Sequence, residues 1–167
     1  CGALARFSPM MESVIEHANR GGKVLGVCNG FQILCESGLL PGALLMNDHQ
    51  KFICKNVFIK NDNQASPINK NITPQPLKIP VAHGEGRYFA NEDTLKQLED
   101  NQQIIFRYCD ENGDIGKENP NGAMHHIAGI CNTERNVFGM MPHPERATSA
   151  VLGNTDGLKI FNSLILN

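Results

Sequence analysis

The chain has 167 residues, of which 41% are hydrophobic and 19% charged, with a formal net charge of -2; this is enough apolar material for one core, and a second domain is not expected. The balanced charge lacks the basic excess that draws proteins onto phosphate backbones. No apolar run approaches the roughly 18 residues of a membrane-spanning helix, and no charged-then-apolar leader opens the text, so the expectation is a soluble protein whose partners include neither nucleic acid nor membrane.

Six cysteines, Cys1, Cys28, Cys35, Cys54, Cys109 and Cys131, are scattered without a C-x-x-C pair. That usage fits a reducing cytoplasm rather than a disulfide framework. No two of them sit at zinc-ligand spacing, and the adjacent His125 and His126 point their side chains in different directions, so no metal site is expected. The first residue is Cys1 rather than Met, and the natural chain is expected to start earlier.

In chain order, Ser8-Pro9 is a helix start, Ser as N-cap and Pro in the first turn, and Met10, Met11, Val14, Ile15 and Ala18 follow at helical spacing up to Gly21-Gly22. Lys23–Val27 is short, apolar and β-branched, as in a central parallel strand buried on both faces. Gly30 to Ser37 reads as a second helix, closed by Gly38 and stopped by Pro41. From Lys51 onward the text is largely β: Phe52–Ile59, Leu77–Val81, Ile104–Tyr108, Ile127–Asn132 and Val137–Met141 read as strands between Asn-, Gly- and Pro-rich turns. A short helix spans Asp93–Asp100. A last helix runs from about Asp156 to Leu166 and is expected to bury Leu158, Phe161, Leu164 and Ile165. The segment Asn61–Gln75 offers few apolar side chains to offset its ordering entropy and is expected to be the most mobile loop. Helix, strand and helix followed by β-rich text indicate the α/β class.

The chemistry concentrates at Gly26-Val27-Cys28-Asn29-Gly30. A cysteine two residues from a glycine on either side, between a buried strand and a helix, is a nucleophile elbow with sulfur in place of oxygen. The glycines keep a sharp turn free of side-chain collisions, and the helix N-terminus favours an anion, so Cys28 is expected to be partly thiolate. The plain alternative is a small buried cysteine at a strand end. A thiol nucleophile needs a base, and His143 in Pro142-His143-Pro144-Glu145 sits at another strand end with a carboxylate two residues on to orient it. Cys28, His143 and Glu145 thus form a triad in chain order.

These two motifs resemble the signature of class I, triad-type glutamine amidotransferases. The stretches Cys1–Pro9, Cys28–Leu34, Gly38–Leu44, Ala82-His83-Gly84-Glu85-Gly86-Arg87, Asn119–Gly122 and Met140–Arg146 narrow the resemblance to the glutaminase subunits of phosphoribosylformylglycinamidine synthase, over essentially the whole chain. The resemblance implies a flavodoxin-like sheet with helices on both faces and residues 1–167 as a single amidotransferase domain. It implies a glutaminase that releases ammonia from L-glutamine through a cysteine thioester for de novo purine biosynthesis. It also implies a large synthetase and a third small subunit as partners, ATP and Mg2+ held by the synthetase, and no cofactor in this chain. Residue by residue, Asn29 would lend its backbone N–H to the oxyanion hole and Gln32 would hold substrate; His83, Glu85 and Arg87 would line the pocket or face the partner, against the plain reading of a charged, glycine-rich turn. The family's second oxyanion donor, from a glycine-rich loop after an earlier strand, has no counterpart in the text. The domain is therefore expected to be N-terminally incomplete, its oxyanion hole half supplied. His17, His49, His125 and His126 read as surface, Cys35, Cys54, Cys109 and Cys131 as inert core, and the Met10-Met11 and Met140-Met141 pairs as packing. Two other readings stand beside this one: a glutaminase or cysteine hydrolase serving another client, and a non-catalytic domain that keeps the fold.

Overall fold

The computed structural model describes residues 7–166; Cys1 and the rest of the lead-in to Arg6 lie outside them. Helix α1 (Pro9–Asn19) starts as its sequence signal requires, with the Ser8 hydroxyl accepting the Met10 N–H at 3.3 Å. It is followed by β1 (Val24–Val27), α2 (Asn29–Glu36), β2 (Ala43–Leu45), β3 (Ile53–Asn61), β4 (Leu77–His83) and β5 (Arg87–Phe89). Then come α3 (Glu92–Asp100), β6 (Ile104–Cys109), β7 (Ile127–Cys131), β8 (Val137–Met140) and α4 (Asp156–Ile165).

Six strands form one sheet in the order β1-β8-β7-β6-β3-β4, and β2 pairs with β5 in a separate two-stranded piece. Among the described residues only β1 and β8 run parallel, with Val24 opposite Val137 and Val27 opposite Met140. That register matters most for the site: the residues just beyond both strand ends, 28 on one and 141–143 on the other, emerge side by side. The sheet's inner residues Ile59, Leu77, Ile79, Phe106, Ile130 and Phe138 are essentially inaccessible. Phe31 of α2 stacks on Tyr88 of β5 at 5.9 Å between centroids, and a side chain at Gly139 would collide with Phe31, so α2 lies tightly on the sheet.

Several expectations need correction. Among the described residues β1 is an end strand of the sheet and only half buried, not a strand covered on both faces. The short β2 and β5 carry no alternation long enough to read. The segment from Asp62 to Pro76 has no helix or strand, yet it is tied down. Ser66, Ile68, Asn69 and Ile72 are buried, and Asn63 Nδ2 donates to the Ile104 carbonyl at 2.6 Å. Two isoleucines and polar side chains that satisfy backbone groups replace the missing apolar mass. In α4 the buried residues are Gly157, Ile160 and Ser163; of the expected stripe, Leu164 packs partly against the core and Phe161 is half buried, while Leu158 and Ile165 are exposed. The helix docks in part through glycine because its neighbour is backbone, so the apolar count misplaces part of its face. Met10 and Cys54 are also exposed rather than packed.

Candidate active site

Cys28 has φ 52° and ψ −105°, a conformation that costs a non-glycine residue about 1–3 kcal/mol and survives only where the surroundings enforce it. Its N–H donates to the Met140 carbonyl at 2.9 Å and its carbonyl accepts from Gln32 at 3.2 Å, so the elbow is pinned by β8 behind and by the first turn of α2 ahead. The two glycines differ in their reason. A Cβ at residue 26 would lie 2.5 Å from Leu34 Cδ1 and 2.7 Å from the Gly30 backbone, whereas one at residue 30 would meet nothing within 4 Å. Space requires glycine at 26, where the Gly30 backbone crowds it, but not at 30.

The thiol is not the partial thiolate expected. Burial pushes the Cys28 pKa above its ordinary value, outweighing the Asn29 backbone N–H and the Arg146 charge, which both favour the anion. A resting thiol therefore needs a base.

His143 follows β8 and is held by its own backbone, the N–H donating to the Pro80 carbonyl at 2.8 Å. Its Nδ1 lies 2.6 Å from Glu145 Oε1, so Nδ1–H donates to the carboxylate and Nε2 is left as the working nitrogen. That Nε2 is buried without a hydrogen-bond partner among the described residues. Pro144–Arg146 form a single 3-10 turn that brings Glu145 back over the ring, and Arg146 Nε stands 3.6 Å from Glu145 Oε1.

The free edge of β4 organises these parts. Alternate residues along it present their backbone outward. Lys78 N–H donates to Asp156 Oδ2 at 2.9 Å, the Lys78 carbonyl accepts from Asn154, the Pro80 carbonyl holds His143, and the Ala82 carbonyl faces Cys28 Sγ at 3.9 Å. Nucleophile, base and the segment leading into α4 are thus aligned on one strand.

Cys28, Asn29, Gln32, His83, Glu85 and His143 all line one cavity of about 540 Å3, together with Phe52, Ala82 and Arg146. The volume suits a small ligand. Glu145 stands behind His143 rather than on the wall, and Arg87 does not line the cavity. Among the described residues no hydrogen bond joins Cys28 Sγ to the His143 ring, though both line the one cavity. Gln32 uses its amide to donate to the Glu85 carbonyl at 2.7 Å, which fixes the Gly84–Gly86 turn.

Asn47 was not visible from sequence. Its Nδ2 donates to the Lys51 and His83 carbonyls at 2.9 and 3.0 Å; its Oδ1 accepts from Gly86 N–H and stands 3.1 Å from His83 Nδ1. Arg146 and Phe52 were also missed as wall residues, since nothing in local pattern distinguishes them. Burial makes three of the other cysteines poor nucleophiles, pushing Cys35 up to about 12, Cys109 up to about 11 and Cys131 above its usual value.

His83 is 4% exposed, and burial, with the His143 and His49 rings nearby, lowers its pKa from 6.5 to about 4. The folded state therefore prefers the neutral ring. Stability from this preference is complete above about 6.5 and drains as pH falls from there towards 4, by roughly 3 kcal/mol in all. Urea unfolding at pH 7 and pH 4.5 should show that loss, and His83→Asn should lack its share of it.

Comparison with known proteins gives the following. The CobB/CobQ-like glutamine amidotransferase domain family matches residues 2–160. A subunit PurQ of phosphoribosylformylglycinamidine synthase from Gloeobacter violaceus is 52% identical over 99% of this chain and 72% of its own length. The Synechocystis protein of the same name is 54% identical over 98% of this chain and 74% of its own. Among solved structures, the PurLQS structure from Thermotoga maritima contains a chain matching with TM-score 0.85 at 38% identity, over 99% of this chain and 71% of that one.

Proposed function

The chain belongs to the CobB/CobQ-like glutamine amidotransferases and, within them, to the glutaminase subunits of phosphoribosylformylglycinamidine synthase in purine biosynthesis; on that premise we propose that Cys28, His143 and Glu145 are its catalytic residues. The observation that carries this assignment is the strained backbone at Cys28 sharing one pocket with a carboxylate-oriented imidazole.

The steps follow from the geometry. His143 Nε2 takes the Cys28 proton, and Sγ attacks the side-chain amide carbon of glutamine. Asn29 N–H, already directed at the sulfur, stabilises the oxyanion. As the tetrahedral adduct collapses, the imidazolium, steadied by Glu145, passes its proton to the leaving nitrogen. Ammonia departs and a thioester remains. Water then attacks the thioester, yielding a proton through His143 to the sulfur and releasing glutamate, so glutamine and water become glutamate and ammonia. Gln32 contributes to holding the substrate.

The chain docks against a large synthetase and a third small subunit, to which it passes ammonia in the cytoplasm; the likeness to the PurLQS assembly supports this. Glu85, exposed at the pocket rim, and Arg87 belong to the side that meets the partner. ATP and Mg2+ are held by the synthetase, and this chain needs no cofactor. The test is labelling with a diazo-ketone analogue of glutamine in the presence of the synthetase, with mass mapping. Modification is expected at Cys28 alone; a label on any other cysteine, or none, overturns the assignment.

A further inference from the structure

The pocket holds a second imidazole whose protonation the hydrogen bonds decide. Asn47 Nδ2 gives its hydrogens to two carbonyl oxygens, so Oδ1 is the acceptor towards His83, and His83 Nδ1 must donate to it. Nε2 is then a bare lone pair. Among the described residues it has no partner, on a side chain 4% exposed that lines the same cavity as Cys28 and His143.

An acceptor shut away from water without a donor is unfavourable by itself. Two of the pocket's donors are engaged elsewhere: Gln32 Nε2 on the Glu85 carbonyl and the Cys28 thiol on the Ala82 carbonyl. A ligand entering the cavity can bring the missing donor. Glutamine carries two N–H groups on its side-chain amide, whereas glutamate presents only acceptor oxygens there.

We propose that His83 is a specificity-determining residue: its Nε2 accepts an N–H of the substrate carboxamide, and the same lone pair repels the carboxylate of the product. The contact favours glutamine before the reaction and favours release of glutamate after it. Asn47 is the positioning residue that sets the tautomer. Burial keeps the ring neutral at working pH, so the lone pair is not lost to protonation. This rests on the glutaminase reading of Cys28.

The test compares KM for glutamine with the inhibition constant for glutamate in the enzyme assembled with its synthetase. His83→Asn keeps a donor for Asn47 and removes the acceptor. It should narrow the preference for glutamine over glutamate about 10-fold or more, and His83→Gln, whose carbonyl oxygen reaches the Nε2 position, should restore much of it. An unchanged ratio in a His83→Asn enzyme that melts like the parent overturns the proposal. Nitrogen-15 NMR of the ring in Cys28→Ser gives a second readout that needs no His83 variant. Nε2 should shift with glutamine and not with glutamate, and an Nε2 that stays put with glutamine bound overturns the proposal. Labelling of Cys28 by the diazo-ketone separates the two ideas: labelled Cys28 with unchanged discrimination sinks only the role of His83, and unlabelled Cys28 sinks the glutaminase mechanism itself.

Discussion

Replacing Cys28 by serine should abolish glutamine-dependent synthesis in the assembled enzyme, by a factor on the order of 10^4 or more, while synthesis from added ammonia proceeds at the parent rate. The asymmetry follows from the chemistry. Burial already raises the Cys28 thiol, and a hydroxyl in the same place is a far weaker acid, which the His143–Glu145 pair cannot ionise as a thiol is ionised. The elbow itself should tolerate the change, since serine has the shape of cysteine and the strained φ is imposed by the bonds to Met140 and Gln32. Added ammonia enters after the step that the cysteine performs. Rates with each nitrogen source, measured side by side, check this; glutamine-dependent turnover above a tenth of the parent would remove Cys28 from the mechanism.

Gly157→Ala should lower glutaminase activity about 10^2-fold, with a stability loss of roughly 1–3 kcal/mol. Gly157 is the second residue of α4, and its N–H donates to the Ala147 carbonyl at 2.7 Å. A Cβ there would collide with the Pro144 carbonyl oxygen and lie 2.8 Å from the Ala147 oxygen, both backbone atoms that no rotamer change can move aside. Helix or turn must shift, and the turn is the one that folds Glu145 over His143. Displacing that pair by about 1 Å is enough for the rate loss. Kinetics of Cys28 labelling and a melting curve separate the effects: slower labelling in a protein that is still folded is expected, and parent-like labelling would show that the turn does not depend on the helix.

The sequence was readable where one local rule decided the outcome. Ser8-Pro9 starts a helix, Gly38 at φ +76° ends one, and the spacing around Cys28 implies its strained turn. Strand positions were also legible, but not their order, because antiparallel pairing of β3 with both β4 and β6 is set by contacts distant in the chain. The Cys28–His143–Glu145 set could be assembled from motifs alone. The protonation state of Cys28 could not, because it depends on how deeply the elbow is buried, and the helix effect that argued for a thiolate is the weaker one. Asn47 gave no signal, being one polar residue in a loop whose partners lie 36 and 39 positions away. The stripe on α4 was only partly right for a related reason, since a helix seated on backbone packs through Gly157 as well as through Leu164.

The outer rim of β4 has one more consequence. An unpaired strand edge is a template on which another chain can add itself. Here Pro80 offers no N–H, its carbonyl is taken by His143, and the Lys78 backbone is occupied by Asp156 and Asn154. The segment bearing the histidine therefore also seals the sheet against self-association. Loosening it, by heat, acid or a misplaced methyl group, should expose a sticky margin along with a slack triad, so that loss of turnover and onset of aggregation arise together from one local opening.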